Sequence, residues 1–318
     1  VEETKVDKKK VVAIFDGNHL AARCFFALRL NDSKGRNVSA IYGCMESITD
    51  FIRDWMPDAL VVVWDEGKSG HRTKVLPSYK CRRAPINEEE AKSIQDRINQ
   101  MKVVKELFFY LGIPQIGMAG YEGDDICYAI SQLNSNIGIY QSLIVSSDKD
   151  LLQLIRSDVS CYDPIKKQIV KEDNFREIVG LDREDFVLYK ALMGDAGDDV
   201  PGIKGIGPGR AMKLISKYKT VDALVNNVDE KEGKFIRGKR EELERNLELV
   251  DISKAVGRSA YFEVAEKLAE PTTIEMQEVI EIFQEYEFKS FLNEIKEMTE
   301  TYTNLLVKNE EYRRSIKV

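Results

Sequence analysis

Histidine and paired cysteine are what this 318-residue chain most lacks. It has only His19 and His71, and its five cysteines (Cys24, Cys44, Cys81, Cys127, Cys161) never form a C-x-x-C pair. A zinc-type Cys/His constellation is therefore excluded, and an odd, scattered set of thiols fits a reducing cytoplasm better than a disulfide framework. No apolar run approaches the roughly 18 residues of a membrane span, and no secretory leader is visible, so a cytoplasmic protein with no membrane contact is expected. Internal repeats and low-complexity stretches are absent as well. Positive charge is not in excess: 47 Lys+Arg stand against 54 Asp+Glu, a net charge of −7, which at face value disfavours a nucleic-acid partner. What is present, 43% hydrophobic and 32% charged residues, describes a globular chain able to bury a real core. The length suits about two domains, or one large α/β domain with an appendage.

After a charged, aperiodic stretch at residues 1–10, expected to be a disordered tail, short β-branched runs alternate with helical patterns. VVAIF (11–15), ALVVVW (59–64) and SLIVS (142–146) are continuous apolar runs, as in strands buried on both faces of a parallel sheet. Residues 41–56 and 88–111 read as helices, the second capped by Asn87. The βαβα order predicts an α/β fold: an open, mostly parallel sheet with helices on both faces. From Arg183 onward strands disappear and helices dominate. The spans expected are an α/β core over 11–182, a helical region over 183–296 and a C-terminal tail over 297–318.

Each of the three strands ends in acid. Asp16 follows the first, Asp65 the second, and Asp148 and Asp150 the third. Glu122, Asp124 and Asp125 open a further helix, and Asp195, Asp198 and Asp199 follow the helical stretch 186–193. Taken singly, each Asp is an ordinary helix cap. Taken together they load the strand ends, where open α/β sheets bind ligands, with ten carboxylates. Like charges at close range would keep several of them protonated unless a cation intervenes. Oxygen-only donors select Mg²⁺ or Mn²⁺, and paired ions of this kind serve phosphodiester chemistry by activating water. No calcium-loop signature is found.

Two basic elements face the other way in charge. GIKGIGPG (202–209) and the helix after it hold five Lys/Arg and no acid up to Lys219, with Pro208 placed to start the helix. A Gly-rich turn between helices exposes backbone N–H groups that suit a phosphate backbone, although such a turn can also be a plain connector. The segment 66–83, EGKSGHRTKVLPSYKCRR, carries Lys68, Arg72, Lys74, Lys80, Arg82 and Arg83 against Glu66 alone. Placed over an acidic site, its cations could hold phosphates and stabilise developing charge; elsewhere it would be a solvated loop.

In this order the motifs IFDGNHLAARCFFAL, VVVWDEGKSGHRTKVLPSYKCRR, GYEGDDICYAI, SSDKDLLQLI and LMGDAGDDVPGIKGIGPGRAMKLI resemble the structure-specific 5′ nucleases, as does YEFKSFLNEI nearer the C-terminus. That family comprises the 5′ nuclease domain of bacterial DNA polymerase I and the phage 5′→3′ exonucleases and flap endonucleases. The resemblance covers roughly residues 11 to 296. It implies a PIN-like core with a basic arch over 66–100 and a helix–three-turn–helix over 186–219. It further implies Mg²⁺ or Mn²⁺, two or more ions, and a K⁺ ion at the turn.

One metal group would fall on Asp16, Asp65, Glu122 and Asp124 with Asp125 nearby, the other on Asp148, Asp150, Asp195 and Asp198. Lys80 and Arg83 would reach the scissile phosphate, with Asp16, Asp65 and Asp148 at the centre of catalysis. DNA contacts would come from Arg23, Arg72, Tyr79, Lys80, Arg83, Lys204, Gly205, Gly207, Gly209, Arg210 and Lys213. The partner implied is DNA with 5′ flaps, nicks or free 5′ ends. The protein would act as a monomeric, stand-alone nuclease in the cytoplasm of a bacterial cell or a phage-infected host.

Two departures stand out: Asp199 where many members have Asn, and Ala22 where many have Tyr. Rival readings are a phosphatase, which would want Asp rather than Asn18, and a topoisomerase–primase site built on Asp148 and Asp150. A catalytically silent DNA-binding protein is a third. Taking the ten carboxylates out of the net charge of −7 leaves +3, so the acidic total reflects the metal cleft rather than the binding surface.

Overall fold

The computed structural model describes residues 9–81, 85–226 and 230–316, with the side chains of 230–232 excepted. Most of the expected N-terminal tail thus lies outside the described residues, as do Arg82 and Arg83. Lys10 already belongs to a strand.

Six strands form the main sheet: β1 (Lys10–Asp16), β2 (Ala59–Glu66), β3 (Gln115–Ala119), β4 (Tyr140–Val145), β5 (Val159–Asp163) and β6 (Gln168–Val170). Their spatial order is β3-β2-β1-β4-β5-β6, parallel from β3 to β5, with β6 antiparallel at one edge. The chain winds from β1 toward β3, then returns past β1 to lay down β4 on its other side. The switch point therefore lies between β1 and β4, the place where a doubly wound sheet opens a crevice.

The helices of the core are α1 (Gly17–Ala27), α2 (Ser39–Trp55), α3 (Gly70–Val75), α4 (Glu88–Tyr110), α5 (Gly123–Ile137) and α6 (Phe175–Val179). Strand alternation divides the interior. Val12, Ile14, Val61, Val63 and Ile144 point to the face covered by α5. Ala13, Phe15, Leu60, Val62, Trp64, Leu143 and Val145 point to the face covered by α1, α2 and α4. Helix α2 fits its role by spacing: Ile41, Cys44, Met45, Ile48, Phe51 and Ile52 form one buried stripe. Asn87 does cap α4, its Oδ1 accepting the Glu90 N–H at 2.8 Å.

The helical region begins with α7 (Phe186–Met193) and a two-residue hairpin, β7 (Gly194–Asp195) with β8 (Val200–Pro201). The hairpin is tight: a Cβ on Gly202 would sit 2.1 Å from the Met193 carbonyl, and Gly194 has φ +69°. Helix α8 (Pro208–Tyr218) follows, then α9 (Val221–Asn226), α10 (Glu230–Ile236) and α11 (Arg240–Val250). Together they enclose a third core that includes Leu192, Ile203, Ala211, Leu214, Ile215 and Leu243.

Two expectations need correcting. The region 183–296 is not one unit, because α12 (Ile252–Ala255) and α13 (Arg258–Ala269) return to pack on the α5 face of the sheet. Helices α14 (Met276–Glu285) and α15 (Lys289–Asn293) pack on the opposite face. The segment 297–318, expected to be a tail, is mostly α16 (Ile295–Ser315). Met298, Tyr302, Leu305, Asn309 and Tyr312 are buried along it, a stripe that binds the helix to both layers. Asn309 Oδ1 accepts the Leu60 N–H of β2 at 2.9 Å, and the Tyr302 hydroxyl meets Thr49 Oγ1 at 2.9 Å. Among the described residues no helix is long and apolar enough to cross a membrane.

Asn309→Ala leaves the buried Leu60 amide without its acceptor, so it should cost about 2 kcal/mol in urea unfolding. An unchanged midpoint would show that α16 does not support the sheet.

Candidate active site

Parallel registry places the acids. Asp16 ends β1 opposite Val63, Asp65 lies two residues further along β2, and Asp148 follows β4 beside β1. Gly17 lets α1 start against β2, since a Cβ there would come 2.6 Å from the Trp64 ring. Glu122 and Asp124 arrive from the start of α5, and Asp195 and Asp198 from the β7–β8 hairpin. Eight carboxylates, those of Asp16, Asp65, Glu122, Asp124, Asp148, Asp150, Asp195 and Asp198, line one cleft of about 530 Å³. Asn18, His19, Ala22, Lys80, Arg97, Ile98 and Met101 complete its walls.

Backbone and hydroxyl groups hold these acids. Asp16 accepts from the His19 N–H at 2.9 Å and Ser146 Oγ at 3.2 Å. Asp65 accepts from the Gly123 N–H at 2.6 Å, and Asn18 Oδ1 accepts the Asp65 N–H. Asp148 accepts the Asp150 N–H at 2.8 Å.

Burial and mutual repulsion set the charge. Asp16 is 8% exposed, and burial together with the charges of Asp65 and Asp148 raises its pKa to about 7. Asp124 is pushed well up by burial and by Asp148, Asp16 and Asp150. Burial also raises Asp150, against the pull of Lys190.

Cations from the protein relieve the rest. Burial would raise Glu122, but Lys80, Arg72 and Tyr79 outweigh it, and its pKa falls. The Lys80 Nζ lies 2.6 Å from Glu122 and 3.6 Å from Asp198, and its backbone is left-handed at φ +52°. Lys190, which the sequence did not single out, pairs with Asp150 and, at 2.9 Å, with Asp195. Burial would lower its pKa, but these two acids raise it.

Among the described residues no three of these side chains already form a closed metal cage. The donor set nonetheless fits a hard divalent cation: it is all oxygen, and desolvated acids in it are held toward protonation by one another. A cation would relieve that conflict.

Three of the expected site residues are buried and partnered within the protein. Arg72, expected at DNA, is 3% exposed and forks onto Asp125 at 2.9 and 3.0 Å, with Glu122 at 3.1 Å and the Leu249 carbonyl at 3.0 Å. Asp125, expected near a metal, is 1% exposed; it holds Arg72 and accepts the Glu122 N–H that closes the α5 capping box. Tyr79, also expected at DNA, is buried in the helical core and donates its hydroxyl to Glu122 at 2.8 Å. The expected arch over 66–100 is thus partly folded inward, with α3 inside it and α4 opening on Glu88, Glu89 and Glu90. Arg83 lies outside the described residues.

Arg23 is half-buried and donates to Ser47 Oγ at 3.2 Å. Lys204, Gly205, Gly207, Gly209, Arg210 and Lys213 are all exposed on the turn and on the outer face of α8. The inner face, Ala211, Leu214 and Ile215, is buried. Arg210 donates to the Gly205 carbonyl and lies 3.9 Å over the Phe235 ring. Asp199 has φ +58°, a left-handed turn position that Asn and Asp both tolerate.

A doubly wound sheet with an acidic cleft at its switch point, beside a cationic helix–turn–helix, defines a nuclease-type α/β protein. The match is specific. Residues 11–180 match the 5′-3′ exonuclease N-terminal resolvase-like domain, and residues 181–265 match the 5′-3′ exonuclease C-terminal SAM fold. The chain belongs to the 5′-3′ exonuclease family.

It is 32% identical over 287 residues to a 5′-3′ exonuclease of Aquifex aeolicus, covering 90% of this chain and 95% of that one. It is 33% identical over 248 residues to the thermostable DNA polymerase I of Thermus thermophilus, covering 76% of this chain but only 29% of the polymerase. Among solved structures, the T5 D15 protein co-crystallised with metal ions is similar at a TM-score of 0.70 and 25% identity, over 81% of this chain and 98% of that one. The T5 5′-exonuclease with bound divalent zinc is similar at 0.70 and 26%, with the same coverage.

Because the folded pKa of Asp16 lies above its ordinary 3.8, this carboxyl binds more proton in the folded than in the unfolded chain between about pH 4 and pH 7. Metal-free protein should therefore lose melting temperature as pH rises through that window, and Asp16→Asn should flatten the loss. Added Mg²⁺ or Mn²⁺ should raise the melting temperature more at high pH than at low. A flat metal-free profile that Asp16→Asn leaves unchanged would contradict this.

Proposed function

We propose that this chain hydrolyses DNA phosphodiesters at or near 5′ ends, as a 5′→3′ exonuclease and 5′-flap endonuclease that leaves a 5′-phosphate. The carrying observation is the convergence of eight carboxylates at the sheet's switch point, next to an exposed cationic turn. Asp16, Asp65, Glu122 and Asp124 would hold one divalent ion, and Asp148, Asp150, Asp195 and Asp198 a second, with Mg²⁺ or Mn²⁺ the fitting ions. Bound there, such ions supply Lewis acidity and a water of lowered pKa.

The protein's own groups do the remaining work. Gly205, Gly207 and Gly209, with Lys204, Arg210 and Lys213, grip the duplex backbone without reading bases, so selection is by structure. Lys80, held by Glu122 and Asp198 at the cleft, exchanges part of that pairing for the scissile phosphate, and Arg83 acts with it. A K⁺ ion at the turn is part of the proposal; the Gly205 carbonyl would have to release Arg210 to join in. The protein would act as a monomer, in the cytoplasm of a bacterial cell or an infected host. A topoisomerase–primase reading accounts for Asp148 and Asp150 but leaves Asp16 and Asp65 in the same cleft without a role.

Asp65→Asn and Asp148→Asn should each cut Mg²⁺-dependent cleavage of a labelled 5′-flap substrate by about a hundredfold or more. Lys80→Ala should lower kcat by about a hundredfold while duplex binding changes little. Full activity in both Asp variants would sink the assignment. Loss of binding without loss of kcat would make Lys80 a docking residue.

A further inference from the structure

A second cavity adjoins the acidic cleft and shares only Asp148 with it. It measures about 280 Å³ and lies where the ends of β4 and β5 meet β6, α6, α7 and α8. Its floor is apolar. Leu152, Ile178, Val179 and Met212 border the core but remain half-buried, because each also faces the hollow. Phe186 and Tyr189 stand three residues apart on α7, so both rings serve one wall.

The rim is polar and has bonding capacity to spare. Asp163, at the end of β5, is held in place by Ser147 Oγ at 2.6 Å and the Ile165 N–H at 2.9 Å, both donating to Oδ1. Its Oδ2 meets the exposed Lys166 Nζ at 3.4 Å. Among the described residues, the side chains of Lys149, Gln168 and Tyr189 make no hydrogen bond or ion pair, though all three line the cavity.

An apolar hollow forfeits packing contacts until something fills it, and a few polar groups at its mouth orient what does. A flat ring suits a wall of Phe186, Tyr189 and the Met212 thioether, and the Gln168 amide can both donate and accept at the ring's edge. A carboxylate oxygen with a lone pair to spare suits a sugar hydroxyl, and an unpaired ammonium suits a phosphate. Asp148 repels an anion on the wall shared with the cleft, so the phosphate belongs toward Lys149 and Lys166.

We propose that this cavity binds a single nucleoside 5′-monophosphate, its base against Phe186 and Tyr189, its sugar hydroxyl on Asp163 and its phosphate on Lys149. Binding needs no divalent ion. The meaning of the site rests on the nuclease reading: mononucleotides are what an exonuclease releases, and the cavity is a product subsite apart from the reacting centre.

The test is calorimetric titration of the whole chain, in chelator, with deoxyadenosine 5′-monophosphate, deoxyadenosine and deoxyribose 5-phosphate. The nucleotide should bind once per chain, the nucleoside about tenfold more weakly, and the sugar phosphate not measurably. Ile178→Phe, which fills the hollow, should abolish nucleotide binding without lowering the melting temperature. Lys149→Ala should bring the nucleotide down to the affinity of the nucleoside and leave the nucleoside unchanged. Asp65→Asn, in the cleft but outside this cavity, should bind the nucleotide as the wild type does.

No binding at millimolar nucleotide, or equal binding of sugar phosphate and nucleotide, would overturn the proposal. So would wild-type affinity in Ile178→Phe, or loss of binding in Asp65→Asn, which would place the nucleotide in the cleft. Mg²⁺-dependent cleavage of a 5′-flap substrate separates the two readings. A wild type that cleaves but binds no nucleotide removes only the subsite, whereas one that binds the nucleotide in this cavity but cleaves nothing removes the nuclease assignment.

Discussion

Like-charge repulsion among desolvated carboxylates is the constraint on which the rest of this structure depends. Parallel strands end side by side, so acids placed after β1, β2 and β4 meet in a low-dielectric crevice whether or not each is a good neighbour. Burial first, and the neighbouring charges with it, raise the pKa of Asp16 to about 7 and push that of Asp124 well up. Such an arrangement costs the fold stability that a divalent cation held there would return.

The protein tempers that repulsion with its own cations, and doing so ties distant parts of the chain together. Arg72 and Tyr79 come from the segment after β2, yet they end on Asp125 and Glu122 of α5, and the Tyr79 ring packs in the helical core. Lys190 of α7 reaches Asp150 from the β4 loop and Asp195 from the hairpin. The sheet domain and the helical region are therefore joined across the acidic cleft by the part-buried Lys190–Asp150 pair and the packed Tyr79 ring, while Arg72 forms buried ion pairs with Asp125 and Glu122. Buried pairs of this kind add little net stability, but losing one partner strands the other charge. Mutating Arg72 would thus report on folding before it reported on substrate.

Much of this was legible in the sequence. The three apolar runs became β1, β2 and β4, and eight of the ten acids share the cleft. A parallel strand buried on both faces reads as a continuous apolar run, and the first acid after the run marks its end. Less legible were β3, β5 and β6, which are short and broken by Gly117 or polar residues such as Ser160. The inward turn of Arg72, Asp125 and Tyr79 was invisible because a basic segment and an acidic helix start look the same whether they face solvent or each other. Helix α16 did leave a trace, its buried positions recurring every three or four residues from Met298 to Tyr312. Its polar average hid it, since only a narrow stripe is buried. Lys190 gains its meaning from tertiary neighbours alone.

The central claim is that buried acids are held partly protonated until a divalent cation ionises them. Calorimetric titration of the whole chain with Mn²⁺ or Mg²⁺, repeated in buffers of different ionisation enthalpy, counts the protons released per ion bound. With the pKa of Asp16 raised to about 7, binding just below that pH should release protons, and the release should fade well above it. Binding with no proton release near pH 6 to 7 would show that the carboxylates were already ionised, and the account of the cleft would be wrong.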